Sequence, residues 1–99
     1  MKNLKEITAT IEALKPLLSK RYGVETIGVF GSYTRGEQTK KSDIDILVTF
    51  SENTQMGFFK FLELEELLTK KLGVKVDLVS KDALKPYIKE RVLRETVYA

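Results

Sequence analysis

Apolar residues recur at three- and four-residue steps through Leu4, Ile7, Ile11, Leu14 and Leu18, the period of a helix that buries one face. The spacing predicts a helix from Leu4 that reaches Tyr22 and is ended by Gly23. Pro16 falls inside it, lacks an N–H and clashes with the preceding turn, so two short pieces or one bent one are expected. The pattern then shortens: Thr26 through Phe30 is an apolar run with β-branched members between two glycines, which predicts a buried strand. Asp43 to Phe50 alternates, with Ile44, Ile46 and Val48 on one face and Asp43, Asp45, Leu47 and Thr49 on the other. After a loop at Ser51 through Gly57, the helical period returns from Phe58 to Leu72 in Phe58, Phe61, Leu62, Leu64, Leu67 and Leu68, with Gly73 as the stop. Val74 to Val79 predicts a third strand, with Lys75, Asp77 and Val79 on one face. Ser80-Lys81-Asp82 opens a last helix carrying Leu84, Tyr87, Ile88, Val92 and Leu93, locally stressed by Pro86.

Helices interleaved with strands in this order predict an α/β fold: a small mixed or parallel sheet with helices packed on it, residues 1–99 forming one domain. The long helical connection between the second and third strands is consistent with their being parallel neighbours, while the strand order stays open. At 99 residues the chain can bury roughly 60 to 65% of the surface that it exposes unfolded, enough for one core.

Composition narrows the chemistry. There is no cysteine and no histidine, which removes thiolate ligands, Cys nucleophiles and imidazole bases. Catalysis must run on carboxylates, hydroxyls, Lys, Arg or a hard metal held by oxygen. The net charge of +3 is not gathered into a basic run, so direct nucleic-acid binding is not expected. No stretch is long and apolar enough to span a bilayer, and Met1 through Thr10 has no secretory apolar core, so the expected location is the cytoplasm.

Asp43-Ile44-Asp45 sets two carboxylates about 6.5 Å apart along a strand face. Ionising both is costly without a cation, which Mg²⁺, bound by one or two carboxylates plus substrate phosphates, supplies. Such a site needs its substrate to be complete. The alternative is that Asp43 merely ends the loop and Asp45 pairs with a lysine, but a charge among Ile44, Ile46, Leu47 and Val48 is expensive unless paired, bound or at the mouth of the sheet. Gly31-Ser32 leaves the preceding strand about a dozen residues upstream, and its glycine and hydroxyl suit a phosphate cradle, to which Arg35 could add donors. Taken alone, Gly31-Ser32 is an ordinary turn, and Arg35, Lys40 and Lys41 are solvated. Asp77 stands between apolar residues on the third strand and can either join the acidic pair or bridge to Lys75 or Lys81.

Together, Val29-Phe30-Gly31-Ser32-Tyr33-Thr34-Arg35-Gly36 and Ser42-Asp43-Ile44-Asp45-Ile46-Leu47-Val48, followed by Val76-Asp77-Leu78-Val79, resemble the signature of the DNA polymerase β-like nucleotidyltransferase superfamily. The chain is most similar to its minimal prokaryotic members, small proteins paired with HEPN-domain toxins. The resemblance implies a nucleotidyltransferase-like fold with Gly31, Ser32 and Arg35 binding the nucleotide. It further implies Asp43, Asp45 and Asp77 as catalytic residues and ligands of two Mg²⁺ ions, Asp77 also serving as general base. The implied reaction is transfer of AMP from ATP to a hydroxyl, a tyrosine of a HEPN toxin partner, which makes the chain an antitoxin. The chain has no room for the nucleic-acid-gripping parts of larger polymerases, so polymerase activity is not expected. A second reading is a non-catalytic antitoxin that masks its partner and only binds nucleotide. The face carrying Tyr87, Ile88, Val92 and Tyr98 is a candidate partner surface, with core packing as its alternative.

Overall fold

The computed structural model describes residues 2–99; Met1, the first residue of the segment read for a leader and of the expected domain, lies outside them. Helix α1 (Leu4–Tyr22) leads into strand β1 (Val24–Phe30), the short helix α2 (Ser32–Arg35) and strand β2 (Ile44–Phe50). Helix α3 (Phe58–Leu72), strand β3 (Val76–Ser80), a 3₁₀ turn (Lys81–Ala83), helix α4 (Pro86–Glu95) and strand β4 (Val97–Tyr98) follow. The strands form one mixed sheet in the order β3-β2-β1-β4, with β2 and β3 parallel and both neighbours of β1 antiparallel to it. The α/β expectation therefore holds in its mixed form, and α3 is the crossover that lets β2 and β3 run parallel.

Helices α1 and α3 cover one face of the sheet. Ile7, Ile11, Leu18 and Tyr22 of α1 and Leu64, Leu68 and Leu72 of α3 interlock with Ile27, Val29, Ile44, Ile46, Val48, Val76 and Leu78 in one core. Truncating any of these aliphatic residues, as in Ile11→Ala, costs about 2–5 kcal/mol through lost burial and the cavity left behind. At the start of α1, Asn3 accepts from the Glu6 N–H at 2.9 Å and Glu6 from the Asn3 N–H at 3.4 Å, a reciprocal cap.

Several expectations are corrected. Helix α1 runs as one element through Pro16, so of the two forms expected the division into two short pieces is not found. Pro16 lies on the exposed side, where the Glu12 carbonyl it leaves unpaired meets water, and Ile11 and Leu18 hold the helix to the core on either side of it. Strand β1 begins at Val24 rather than Thr26, joined to β2 through an irregular register. Strand β2 begins at Ile44, one residue later than expected: Thr39 and Ser42 tie off the loop with mutual hydrogen bonds, and Asp43 follows them before pairing starts. Strand β3 starts at Val76 instead of Val74. Its outward N–H groups at Val76 and Leu78 donate to Thr69 Oγ1 (3.0 Å) and Glu65 Oε2 (2.8 Å) of α3, so helix side chains satisfy the free edge of the sheet.

The predicted last helix is split. Lys81–Ala83 is a separate turn, and Pro86 is the first residue of α4, where its missing N–H costs nothing. Strand β4 was not expected at all. It pairs Gly28 with Tyr98, and a Cβ at Gly28 would stand 2.6 Å from Thr96 Cγ2 and 2.9 Å from the Val97 carbonyl, so only glycine admits this strand. The apolar stripe of α3 also starts late: Phe58 and Phe59 stack edge-to-face in solvent, 70% and 83% exposed.

Candidate functional site

The sheet brings three distant segments into one row. Phe30, the last residue of β1, pairs with Asp45 of β2, and Asp45 pairs in turn with Asp77 of β3. Alternation points the Asp45 and Asp77 side chains away from the core of α1 and α3, toward the face that α4 partly covers. A cavity of about 330 Å³ opens there. Gly31, Arg35, Asp45, Asp77, Arg91 and Glu95 form its polar side, and Phe30, Val79, Leu84, Ile88 and Val92 its apolar wall. A wider groove of about 450 Å³ beside the end of α1 is lined by Lys20, Arg21, Thr54 and Lys60 and has no carboxylate in its wall.

Gly31 is where the turn and the acids meet. Its backbone has φ +82° and ψ −151°, which disfavours any residue with a side chain, and a Cβ placed on it would overlap Asp45 Oδ2. The absent side chain is thus the space that the Asp45 carboxylate fills. The Gly31 carbonyl accepts from the Thr34 N–H and hydroxyl and from the Arg35 N–H (3.0, 2.7 and 3.3 Å), winding Ser32–Arg35 into one tight turn. Tyr33 is buried and anchors the turn in the core. The Ser32 hydroxyl makes no hydrogen bond among the described residues, and the first N–H groups of a helical turn have no partner within it.

The three aspartates are arranged unequally. Asp45 is half-buried, while Asp43, just before β2, and Asp77 are exposed. None of the three forms a salt bridge among the described residues, so neither the lysine partner considered for Asp45 nor the Lys75 and Lys81 partners considered for Asp77 are realised. Burial, then the charge of Asp77, then that of Asp43 push the Asp45 carboxyl up to about 6, against the opposing pull of Arg35. An unpaired, half-buried carboxylate of hard oxygen donors fits a divalent cation. Among the described residues no three acidic side chains converge closely enough to hold an ion by themselves, so an ion on Asp45 with Asp43 or Asp77 would take its remaining oxygens from substrate or water.

Arg35 stands at the cavity mouth, donating Nε to Glu37 Oε1 (2.8 Å) and Nη1 to Glu95 Oε1 (2.7 Å). Both partners hold its guanidinium firmly in the charged form. Glu95 also accepts from the Gly31 N–H at 2.8 Å. Sequence reasoning missed Glu95, although one signal was present: an acid at the last residue of a helix opposes the helix dipole and calls for a cationic partner. The candidate partner surface does not hold together, because Tyr87 and Tyr98 are exposed while Val92 is buried and Ile88 faces the cavity.

The sequence profile described as nucleotidyltransferase domain matches residues 11–99. A protein of Thermococcus cleftensis named protein adenylyltransferase MntA is 52% identical over 98 residues, covering 99% of this chain and 97% of the relative. Among solved structures, one provisionally described as a minimal nucleotidyltransferase superposes with a TM-score of 0.79 at 38% identity, over 97% of this chain and 95% of that one. A chain from a toxin–antitoxin crystal structure with AMP-PNP superposes with a TM-score of 0.71 at 27% identity, over 90% of this chain and 70% of that one.

Proposed function

This chain belongs to the nucleotidyltransferase domain family, and on that premise we propose that it transfers AMP from ATP to a hydroxyl of a partner protein, a tyrosine of a HEPN-domain toxin, and so acts as a cytoplasmic antitoxin. The observation that carries this is the row of Gly31, Asp45 and Asp77 across three strand ends, with an unpaired carboxylate packed against a glycine turn. The names of the similar proteins support protein adenylylation and a toxin partner, and the AMP-PNP in one relative supports an adenine nucleotide. No described helix is long and apolar enough to cross a membrane.

In this mechanism the Gly31-Ser32 turn and Arg35 bind the triphosphate, with the Ser32 hydroxyl and the guanidinium donating to its oxygens. Asp43, Asp45 and Asp77 would hold two Mg²⁺ ions, which supply neutralisation of charge on the entering and leaving oxygens. Asp77, open to solvent on the outer side of the row, accepts the proton of the attacking hydroxyl. A new bond forms between that oxygen and the α-phosphorus, the bond to the β-phosphate oxygen breaks, and pyrophosphate leaves. The apolar wall of Leu84, Ile88 and Val92 keeps water from competing with the acceptor.

The test is α-labelled ATP with Mg²⁺ and a lysate of the source organism, comparing wild type with Asp43→Asn/Asp45→Asn. A labelled protein band made only by wild type is expected, its mass and modified residue identifying the acceptor. Capture of the partner by both proteins with no label from either would instead favour masking without catalysis.

A further inference from the structure

Glu95 belongs to α4, yet its carboxylate serves the turn after β1. One oxygen accepts from the Gly31 N–H at 2.8 Å and the other from Arg35 Nη1 at 2.7 Å. With Nε held by Glu37, the guanidinium is fixed along two edges, and Nη2 has no partner among the described residues.

This is a costly place for an anion. The side chain of Glu95 is only 17% exposed, it lines the same cavity as Asp45 and Asp77, and it sits at the negative end of its own helix. Burial alone would raise its pKa, but the Arg35 and Gly31 hydrogen bonds outweigh that and hold it below the usual carboxylate range. Nor is Glu95 carried on a loose flap. Val92 is buried one turn earlier, and the Thr96 hydroxyl donates to the Val92 carbonyl at 2.6 Å. Beyond Thr96, β4 is seated on β1 over Gly28, with the Ala99 N–H donating to Ile27 at 3.0 Å. The backbone on both sides of Glu95 is therefore tied to the sheet, as a fixture is and a departing placeholder is not.

We propose that Glu95 is a positioning residue for nucleotide binding: it clamps the Gly31 backbone to the Arg35 guanidinium, sets the phosphate-binding turn and leaves the Nη2 edge of Arg35 free for the triphosphate. The inference rests on the nucleotidyl-transfer reading above and adds a residue from a separate helix to it. It acts through Arg35 and Gly31 and touches no reacting atom.

The experiment measures KM and kcat for ATP, and Kd for a non-hydrolysable ATP analogue with Mg²⁺, on wild type, Glu95→Gln, Arg35→Ala and the double variant, with Tm as a check on folding. Loss of one charged partner predicts that Glu95→Gln raises KM and Kd about tenfold while kcat changes by less than about twofold. The double variant is expected to bind no more weakly than Arg35→Ala alone, because the two residues act as one unit. Wild-type affinity in Glu95→Gln, or an undiminished effect in the Arg35→Ala background, overturns the proposal. Tighter binding overturns it too, since the carboxylate would then be competing with phosphate. If Glu95→Gln does not fold, Glu95→Asp, which keeps the charge but shortens the reach to Gly31 and Arg35, decides: a similar tenfold loss supports the clamp and wild-type affinity overturns it. A wild-type protein that neither binds the analogue nor transfers label sinks the nucleotidyl-transfer reading and this inference with it, whereas a wild type that does both while Glu95→Gln matches it sinks this inference alone.

Discussion

The two sides of the cavity handle charge in opposite ways. On the strand side, Asp43, Asp45 and Asp77 repel one another and have no cationic partner among the described residues. On the turn side, Glu37 and Glu95 surround Arg35, and a backbone N–H completes the set. Both sides are rich in acid, but only the turn side is satisfied by its own atoms. The contrast separates a preorganised half, whose donors are already aimed, from a half that is under electrostatic tension until a cation arrives.

The strongest way to break this contrast is to remove the tension. Asp45→Asn is expected to lower the initial rate of label transfer about a thousandfold or more, the loss of several kcal/mol of charge stabilisation. Rates measured with the protein acceptor would check it. The next largest effect comes from forcing the two sides apart. Gly31→Ala puts a side chain at φ +82° and a methyl group into the Asp45 carboxylate, so a loss of about 2–4 kcal/mol is expected in urea unfolding.

A smaller effect has the reverse sign. A carboxyl raised to about 6 in the folded state binds its proton more tightly there than in the unfolded chain. Folding is then favoured at low pH, and that advantage is lost as pH rises through about 6. Without divalent cations, Asp45→Asn should therefore stabilise the protein at pH 7 by about 1–2 kcal/mol, allowing for solvent screening of a half-buried group, and the gain should fade by about pH 4. Denaturant titrations at the two pH values would test this; equal gains at both would refute it. Glu95, with its pKa lowered, contributes in the opposite sense, its stabilisation present above the unfolded value and lost on acidification. The smallest effect should come from Glu37→Gln, which removes an exposed partner of an exposed Arg35. It should leave Tm unchanged within error and KM for ATP within about twofold, and a large change would make Glu37 rather than Glu95 the principal holder of the guanidinium.

Much of this arrangement was legible in the sequence because it follows from backbone periodicity. The bounds of α3, the alternation that turns Asp45 and Asp77 away from the core, and the parallel pairing of β2 with β3 all come from patterns extending over several residues. What escaped depends on single tertiary contacts. That α1 stays in one piece at Pro16, which its pattern left open, rests on packing that outweighs one missing hydrogen bond. Strand β4 is two residues long, exposed and without a period of its own, and exists because Gly28 leaves room for it. Glu95 lies 64 residues from Gly31, and no local pattern announces that contact.

The register between β2 and β3 has the character of a ratchet. Strands dock in whole residues, so Asp45 can face Asp77 or, after a slip of one, a residue whose side chain points the other way; no intermediate setting exists. Small strains elsewhere are thus not passed on as gradual detuning of the acidic row. The outer surface of α3, including Phe58 and Phe59, is free to be rewritten for a new partner while the row keeps its alignment.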